Sequence, residues 1–123
     1  FAGKLTPSTL GHVGPESADQ SRQGLLRELG NRKIRTALPS GGAKPVLDDG
    51  GAGHSLFATA FLKVLTDNCT ALETERLYLA VRAQVVQTAE RLQFEQVPTY
   101  APIHMAGHEG LGDFVFVPSG KRP

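Results

Sequence analysis

The chain has 123 residues, of which 40% are hydrophobic and 20% are charged, so its composition is that of one ordinary globular domain or part of one. Thirteen basic and twelve acidic side chains give a net charge of +1, which argues against nucleic-acid or membrane-surface binding because both need a basic excess. A single cysteine excludes an internal disulfide and any zinc site that needs two cysteines. No apolar run reaches about 18 residues, so the sequence predicts no transmembrane helix and favours a cytoplasmic location.

The first half of the chain alternates predicted loops with short elements. Residues 1–16 contain three glycines and two prolines without apolar periodicity, which predicts a loop. A helix should follow from Ser17 to about Gly30, where the glycine supplies a stop. Residues 34–38 predict a short strand. Residues 39–54, with five glycines and two prolines, predict a long loop of the kind that is functional or disordered.

Two helices are predicted next. Ser55 is a good N-cap for a helix over about 55–66 that has one apolar face. Thr70 forms a capping-box spacing with Glu73 and begins a helix that runs to about residue 92. The apolar stripe of this second helix is spaced three, four, four and three residues: Tyr78, Val81, Val85, Ala89 and Leu92.

Two further strands are predicted towards the end of the chain. Two prolines in residues 96–107 restrict any strand there to a short or edge strand, whereas the run FVFV at residues 114–117 predicts a strand buried on both faces. This order of elements predicts an α/β layered sheet. Because so few short strands cannot cover the edges of a sheet, we expect strands from another part of the protein. The first residue, Phe1, also indicates a processed product or a fragment.

The loop before the first of these two helices offers candidate binding features. Residues 50–55, GGAGHS, lead into a helix N-terminus that could hold an anion, although a flexible loop with a serine N-cap has the same pattern. Asp48 and Asp49 could bind a cation or a basic side chain, or form a solvated turn. Residues 53–57 begin like the G-x-S-x-G nucleophile elbow, but Phe57 replaces the last glycine.

Histidine and cysteine give weaker patterns. His104 and His108 have a spacing that could bind zinc on a helix, but Pro102 and Gly107 oppose a helix and a third ligand is not evident, so an ordinary loop is the alternative. Cys69 follows Asp-Asn at a predicted helix end and has no basic neighbour that would activate it. This pattern indicates an ordinary thiol and not a nucleophile.

Several motifs follow one another between residues 32 and 118. The first group comprises Arg35–Gly42 (RTALPSGG), Lys44–Val46 (KPV), Asp48 and Gly53–Ala58 (GHSLFA). The second group comprises Gln96–Ile103 (QVPTYAPI), Ala106–Glu109 (AGHE) and Gly112–Phe116 (GDFVF). Together, in this order and spacing, they resemble the bacterial caspase-like cysteine peptidases, the family that includes metacaspases and orthocaspases.

The resemblance concerns the C-terminal, small-subunit region of that family. It implies part of a caspase-like three-layer α/β sandwich with a mostly parallel six-stranded sheet, completed by a large-subunit region that this chain lacks. Residues 1–33 would be the segment after the nucleophile and an intersubunit linker. Residues 34–118 would be the small-subunit, p10-like part, and residues 119–123 a tail.

The resemblance also implies a cysteine endopeptidase completed by a partner. A Cys–His dyad in the large catalytic, p20-like subunit of the same precursor would cleave peptide bonds by thiolate attack, with backbone N–H groups as the oxyanion hole. Phe1-Ala2-Gly3 resembles the residues that follow the nucleophilic cysteine. This chain alone would be inactive. It would need no cofactor, and the calcium known in the family has no support in this sequence.

Within that interpretation the chain shapes the groove for a peptide or protein substrate. The candidate substrate-binding residues are Ser40, Gly41, Gly42, Asp48, Asp49, His54 and Ser55. The backbone of residues 40–42 could pair with an extended peptide, as in strand addition. Asp48 or Asp49 could accept a basic side chain, because metacaspase-like enzymes prefer Arg or Lys before the scissile bond.

Two other classes of function stay open. A caspase-like module without catalysis could serve as a scaffold or a regulator, and it would have no reactive cysteine before Phe1. A metal- or anion-binding domain could use His104, His108 and the loop at residues 50–55. That domain would bind an ion with three or more ligands and would become more stable with it.

Overall fold

The computed structural model describes residues 15–42, 45–48 and 53–120, which contain three helices and four short strands. In chain order they are α1 (Pro15–Gly30), β1 (Thr36–Ala37), α2 (Leu56–Asp67), β2 (Leu72–Glu73), α3 (Thr74–Arg91), β3 (Ala101–Pro102) and β4 (Val115–Phe116). The three predicted helices are present, although α1 begins before the predicted Ser17. In these ranges no helix is long and apolar enough to cross a membrane.

The hydrophobic core lies between α2 and α3. Its buried members are Leu56, Ala60, Leu77, Val81, Val85 and Ala89. The four that belong to α3 recur every four residues, so they share one face of a helix that turns once in 3.6 residues. The predicted stripe contained three of these four. It missed Leu77, which is fully buried, and it included Leu92, which is exposed.

The start of α2 is as predicted. Ser55 is the N-cap, and its side-chain oxygen accepts a hydrogen bond from the Ala58 N–H at 3.1 Å. A serine in this position satisfies one of the N–H groups that the first helical turn leaves without a partner. The predicted N-cap therefore fixes where the long loop ends and α2 begins.

The start of α3 differs from the prediction. The helix begins at Thr74 and not at Thr70, because residues 72–73 form β2 instead of a first helical turn. The local N-cap residue, Glu73, makes no side-chain capping bond. Asp113, which lies near β4, instead accepts a hydrogen bond from the Glu75 N–H at 2.9 Å. A carboxylate distant in sequence therefore caps this helix.

The strands form two separate antiparallel pairs. β1 pairs with β3, with Ala37 opposite Ala101, and β2 pairs with β4, with Leu72 opposite Phe116. The predicted α/β layered fold, part of a caspase-like sandwich with a mostly parallel six-stranded sheet, is therefore wrong for the described residues, which are mostly helical. The physical reason is that α2 and α3 bury their apolar faces mainly against each other and do not cover the faces of a sheet.

The predictions for the two late strands have opposite outcomes. The strand at residues 101–102 is short and belongs to a two-stranded sheet, as the prolines predicted. The expectation that residues 114–117 are buried on both faces is wrong, because Phe114 is 52% and Val117 is 74% exposed. Val115 and Phe116 are only half-buried, and Phe116 meets Phe61 of α2 edge to face at 6.3 Å. A continuous apolar run therefore marks a half-exposed strand here.

Candidate functional site

One edge of the segment at residues 33–39, which contains β1, is paired along its length. Three of its residues direct their backbone hydrogen-bonding groups towards β3: Arg35, Ala37 and Pro39. Their partners across the pair are Ile103, Ala101 and Thr99. The Ile103 and Thr99 N–H groups donate to the segment's carbonyl oxygens at 2.8 and 3.3 Å.

Side chains continue this pairing beyond β3. The Lys33 N–H donates to the Glu109 carboxylate at 2.9 Å, and the Glu109 N–H donates back to the Lys33 carbonyl at 2.9 Å. The Arg35 N–H donates to Nδ1 of His108 at 3.1 Å. The carboxylate and the imidazole thus satisfy backbone donors that a neighbouring strand would otherwise satisfy.

The opposite edge of the same segment is open. Because backbone groups alternate along an extended chain, the N–H and C=O groups of Thr36 and Leu38 point away from β3. In the part of the chain that the structure describes, no strand pairs with this side of β1. We call it the open edge. Such an edge can receive a further extended strand through main-chain hydrogen bonds.

An apolar groove of about 400 Å³ lies beside β1. Its lining includes Ile34, Leu38, Phe61, Ile103, Phe114 and Phe116. The groove is shallow, and Ile103 and Phe114 are themselves about half exposed. Apolar side chains of a bound segment could therefore be buried next to the open edge.

Beyond β1 the chain enters residues 40–47, which we call the clamped loop; residues 43 and 44 lie outside the described ranges. Gln96 fastens both ends of this loop. Its Nε2 donates to the Ser40 carbonyl at 2.9 Å, and its Oε1 accepts from the Leu47 N–H at 3.1 Å. Leu47 is in turn bonded to α2, because the Leu56 N–H donates to the Leu47 carbonyl at 3.3 Å.

The structure brings three of the predicted groove residues to this loop. Ser40 is the first residue of the loop, and its carbonyl oxygen accepts a hydrogen bond from Nε2 of Gln96. Gly41 and Gly42 line a cavity of about 390 Å³ between the loop and residues 95–99. A Cβ atom at Gly41 would lie 2.7 Å from Cγ1 of Val46, so a larger residue at this position would force Gly41 and Val46 apart.

The other predicted groove residues lie at the junction with α2. Asp48 and His54 are exposed, and Ser55 uses its side-chain oxygen to cap the helix. The bond between Leu47 and Leu56 brings both sides of this junction together. The predictions for Asp49, for residues 50–52 of the glycine loop and for Phe1-Ala2-Gly3 fall outside the described residues.

A second polar site joins β3, β4 and α3. The Asp113 side chain is buried and accepts hydrogen bonds from the Tyr100 hydroxyl at 2.6 Å, from the Glu75 N–H at 2.9 Å and from the Phe114 N–H at 2.8 Å. Burial and the hydrogen bond to Asp113 raise the pKa of Tyr100 to about 12. Because all its partners are internal, Asp113 connects elements and is not placed to bind a ligand.

The described histidines and the cysteine form no common centre. His104 and Cys69 are exposed, whereas His108 is half-buried and bonded to Arg35. Among the described residues no group of three or more His, Cys, Asp or Glu side chains could hold a metal ion. The metal-binding hypothesis therefore gains no support from the geometry of His104 and His108.

Sequence reasoning missed the two residues that organise the site. Gln96 and Asp113 both lie in motifs that carry the family resemblance, but neither was assigned a role. Both side chains are buried polar groups, with 3% and 7% exposure. A sequence cannot show such burial directly, although a polar residue between the end of a helix and a proline is a pattern that could have drawn attention to Gln96.

Comparison with known proteins leaves the family open. No protein-family model, no curated protein and no solved structure matches this chain. The site must therefore be interpreted from its own geometry: an open strand edge, a loop clamped at both ends, and an apolar groove next to them.

Proposed function

We propose that this chain is the groove-forming part of a cysteine endopeptidase whose Cys–His dyad lies in an upstream large subunit of the same precursor. The observation that carries the proposal is the open edge of β1, which leads directly into the clamped loop. Such an edge offers alternating donors and acceptors to an extended peptide, which is the form in which proteases bind their substrates. The apolar groove beside it can accept peptide side chains.

The positions of the motifs support this proposal. Residues 35–42 form β1 and the start of the clamped loop, residues 96–103 contain the clamp and β3, and residues 112–116 contain Asp113 and β4. The segments that resemble the peptidase family are thus the segments that build the site. The α2–α3 core contributes fewer of the matched residues.

The chemistry available in the chain supports a division of labour. Cys69 is exposed at the end of α2, and no described histidine is hydrogen-bonded to it. A nucleophilic thiol needs a base within hydrogen-bond reach. The nucleophile and its base would therefore come from the large subunit, while residues 40–42 supply backbone contacts and Asp48 faces a basic substrate side chain.

The test uses the precursor that includes the residues before Phe1. It is treated with a tripeptide chloromethyl ketone that ends in Arg, a reagent that alkylates a cysteine engaged with the bound peptide, and the modified residue is found by mass spectrometry. We expect one adduct, on a cysteine upstream of Phe1, together with hydrolysis of a fluorogenic peptide that ends in Arg. A Cys69→Ser variant should be labelled equally. An adduct that requires Cys69 would contradict the proposal.

A second function is favoured by one observation. Large apolar side chains cluster on the exposed surface around residues 103–117: Ile103, Met105, Leu111, Phe114 and Val117. Apolar exposure of this kind is typical of protein–protein contacts. If the precursor is neither labelled nor active but binds another protein through this surface, the chain is a non-catalytic interaction module.

A further inference from the structure

The orientation of the Gln96 side chain is fixed by its two partners. The Ser40 carbonyl can only accept a hydrogen bond, and the Leu47 N–H can only donate one. Nε2 must therefore face Ser40 and Oε1 must face Leu47. With 3% exposure, Gln96 has no water to replace either bond, so a side chain that lacks a donor or an acceptor leaves a buried backbone group without a partner.

Gln96 is itself held from both sides. Upstream, the Phe94 N–H donates to the Ala89 carbonyl at 2.9 Å, which connects this stretch to the end of α3. Downstream, Pro98 is fully buried, and the Thr99 N–H donates to the Pro39 carbonyl at 3.3 Å. The clamp therefore connects the clamped loop to the buried α2–α3 core.

The clamp acts where a peptide on the open edge would continue. Ser40 follows the last residue of the open edge, Leu38, by two residues. Gly41 lies so close to Val46 that the first and last parts of the clamped loop pack tightly against each other. Without Gln96, Gly41 would still lie against Val46, and Leu47 would still be bonded to Leu56 of α2, but no hydrogen bond of Gln96 would hold the two ends of the loop together. A loop that must be ordered at each binding event binds its ligand more weakly than one already in place.

We propose that Gln96 is a positioning residue: it holds residues 40–42 and 45–47 in the conformation that receives an extended peptide, and so sets the affinity for substrate and not the rate of bond cleavage. This inference rests on the proposed function, because it assigns Gln96 to that groove. Both side-chain hydrogen bonds of Gln96 go to the backbone of the loop, so its loss should act through binding alone.

The first experiment measures hydrogen exchange of the Leu47 amide in this chain. Gln96→Met keeps the size of the side chain but removes both bonds, and Gln96→Glu keeps the acceptor for Leu47 but loses the donor for Ser40. Gln87→Met makes the same change at an exposed position of α3. We expect exchange at Leu47 to become about tenfold faster in Gln96→Met and less so in Gln96→Glu. Exchange at Val81 and Val85 reports whether the core stays folded.

The second experiment measures kcat and KM of the precursor with the fluorogenic peptide that ends in Arg. Gln96→Met should raise KM about tenfold with kcat within about twofold of wild type, and Gln87→Met should change neither. Should Gln96→Met fail to fold, Gln96→Glu gives the same test with a smaller rise in KM. A fall in kcat with unchanged KM, or unchanged exchange at Leu47, would overturn the inference. A wild-type precursor without activity overturns the proposed function instead, and the exchange result then decides separately whether Gln96 holds the loop.

Discussion

The α2–α3 pair and the region around β1 are held together by different forces. The helix pair buries six hydrophobic side chains in one cluster, and its strength comes from their removal from water. The region around β1 has strands of only two residues, and buried polar side chains such as Gln96 and Asp113 join its segments. The first region is stabilised by many equivalent contacts, the second by a few specific ones.

This difference teaches where function can lie. A hydrophobic core accepts swaps that conserve side-chain volume, whereas a hydrogen-bond network depends on the identity of each partner, because a lost partner leaves a buried polar group unsatisfied. The polar region also keeps its open edge and its exposed apolar side chains, whereas the helix pair has covered its apolar face. The α2–α3 core thus acts as a structural scaffold, and the region around β1 presents the candidate binding surface.

The largest expected effect comes from breaking the core. Leu77→Ala removes a fully buried side chain and should lower the free energy of unfolding by about 2–5 kcal/mol, because the lost contacts leave a cavity. Urea denaturation followed by circular dichroism measures the change. Leu79→Ala on the same helix is the control: its side chain is 56% exposed, and the expected loss is below about 0.5 kcal/mol. Equal losses would mean that α3 does not pack on α2 as described.

The next effect tests the polar region. Asp113→Asn should cost about 1–3 kcal/mol of unfolding free energy, because an amide cannot accept all three hydrogen bonds that the buried carboxylate accepts from Tyr100, Glu75 and Phe114. The same denaturation measurement applies. Asp67→Asn is the matched control, since Asp67 lies in an exposed ion pair with Lys63 and should cost less than about 0.5 kcal/mol. A loss at Asp113 no larger than the control would show that the three segments do not depend on it.

The pKa of Tyr100 predicts an alkaline weakening of the same site. Burial and the bond to Asp113 raise this pKa from 10.0 to about 12, so between those values the tyrosine ionises in the unfolded chain before it ionises in the folded one. Its contribution to the unfolding free energy is therefore complete below pH 10 and is lost by pH 12. Because part of the ring is exposed to solvent, which weakens the effect, we expect the unfolding free energy to fall by about 1 kcal/mol over this pH range.

The measurement compares denaturation midpoints from pH 9 to pH 12. Tyr100→Phe should start less stable, because it lacks the bond to Asp113, but it should lose less stability as the pH rises. Tyr78→Phe should keep the wild-type slope, although its ring lies 5.7 Å from that of Tyr100. Identical slopes in all three proteins would argue against the buried hydroxyl as the source.

The same contrast explains what the sequence could predict. Helices α2 and α3 were predictable because their information is local: Ser55 caps one, and apolar residues repeat along the other. The predicted apolar stripe of α3 began at Tyr78 instead of Leu77, because leucines and alanines on several sides of the helix leave its buried face ambiguous. The two glycines of the loop, which were predicted to bind substrate, line a cavity, and their role stays a prediction.

The sheet and the clamp could not be predicted in this way. Gln96 reaches partners 49 and 56 residues away in sequence, and Asp113 caps a helix that begins almost 40 residues earlier. No local pattern encodes such contacts. The alternation of helices and short strands had predicted an α/β layered sheet, and the resemblance extended it to a mostly parallel six-stranded sheet, which the described residues do not form. Long-range polar contacts therefore mark the limit of what this sequence reveals alone.

The smallest effect concerns α1, which has no buried residue and is joined to the rest of the molecule by the Arg22 side chain and by a hydrogen bond from the Asp113 N–H to the Leu29 carbonyl at 3.3 Å. Arg22 donates to the Glu73 carboxylate and to the Ala71 carbonyl, both at 3.1 Å, while Arg76 contacts the other oxygen of Glu73 at 2.8 Å. Because the pair is partly exposed, Arg22→Ala should cost only about 0.5 kcal/mol of global stability.

Local protection should respond more strongly than global stability to this change. In Arg22→Ala the amides of α1 should exchange several times faster, because α1 then has few contacts that oppose its separation from β2. Arg27→Ala, on the same helix and exposed, should leave α1 nearly as protected. If both variants loosen α1 equally, its helicity and not its ion pair holds it in place. If only Arg22→Ala makes the amides of α1 exchange faster, the attachment of α1 depends on a specific polar contact, as the region around β1 does.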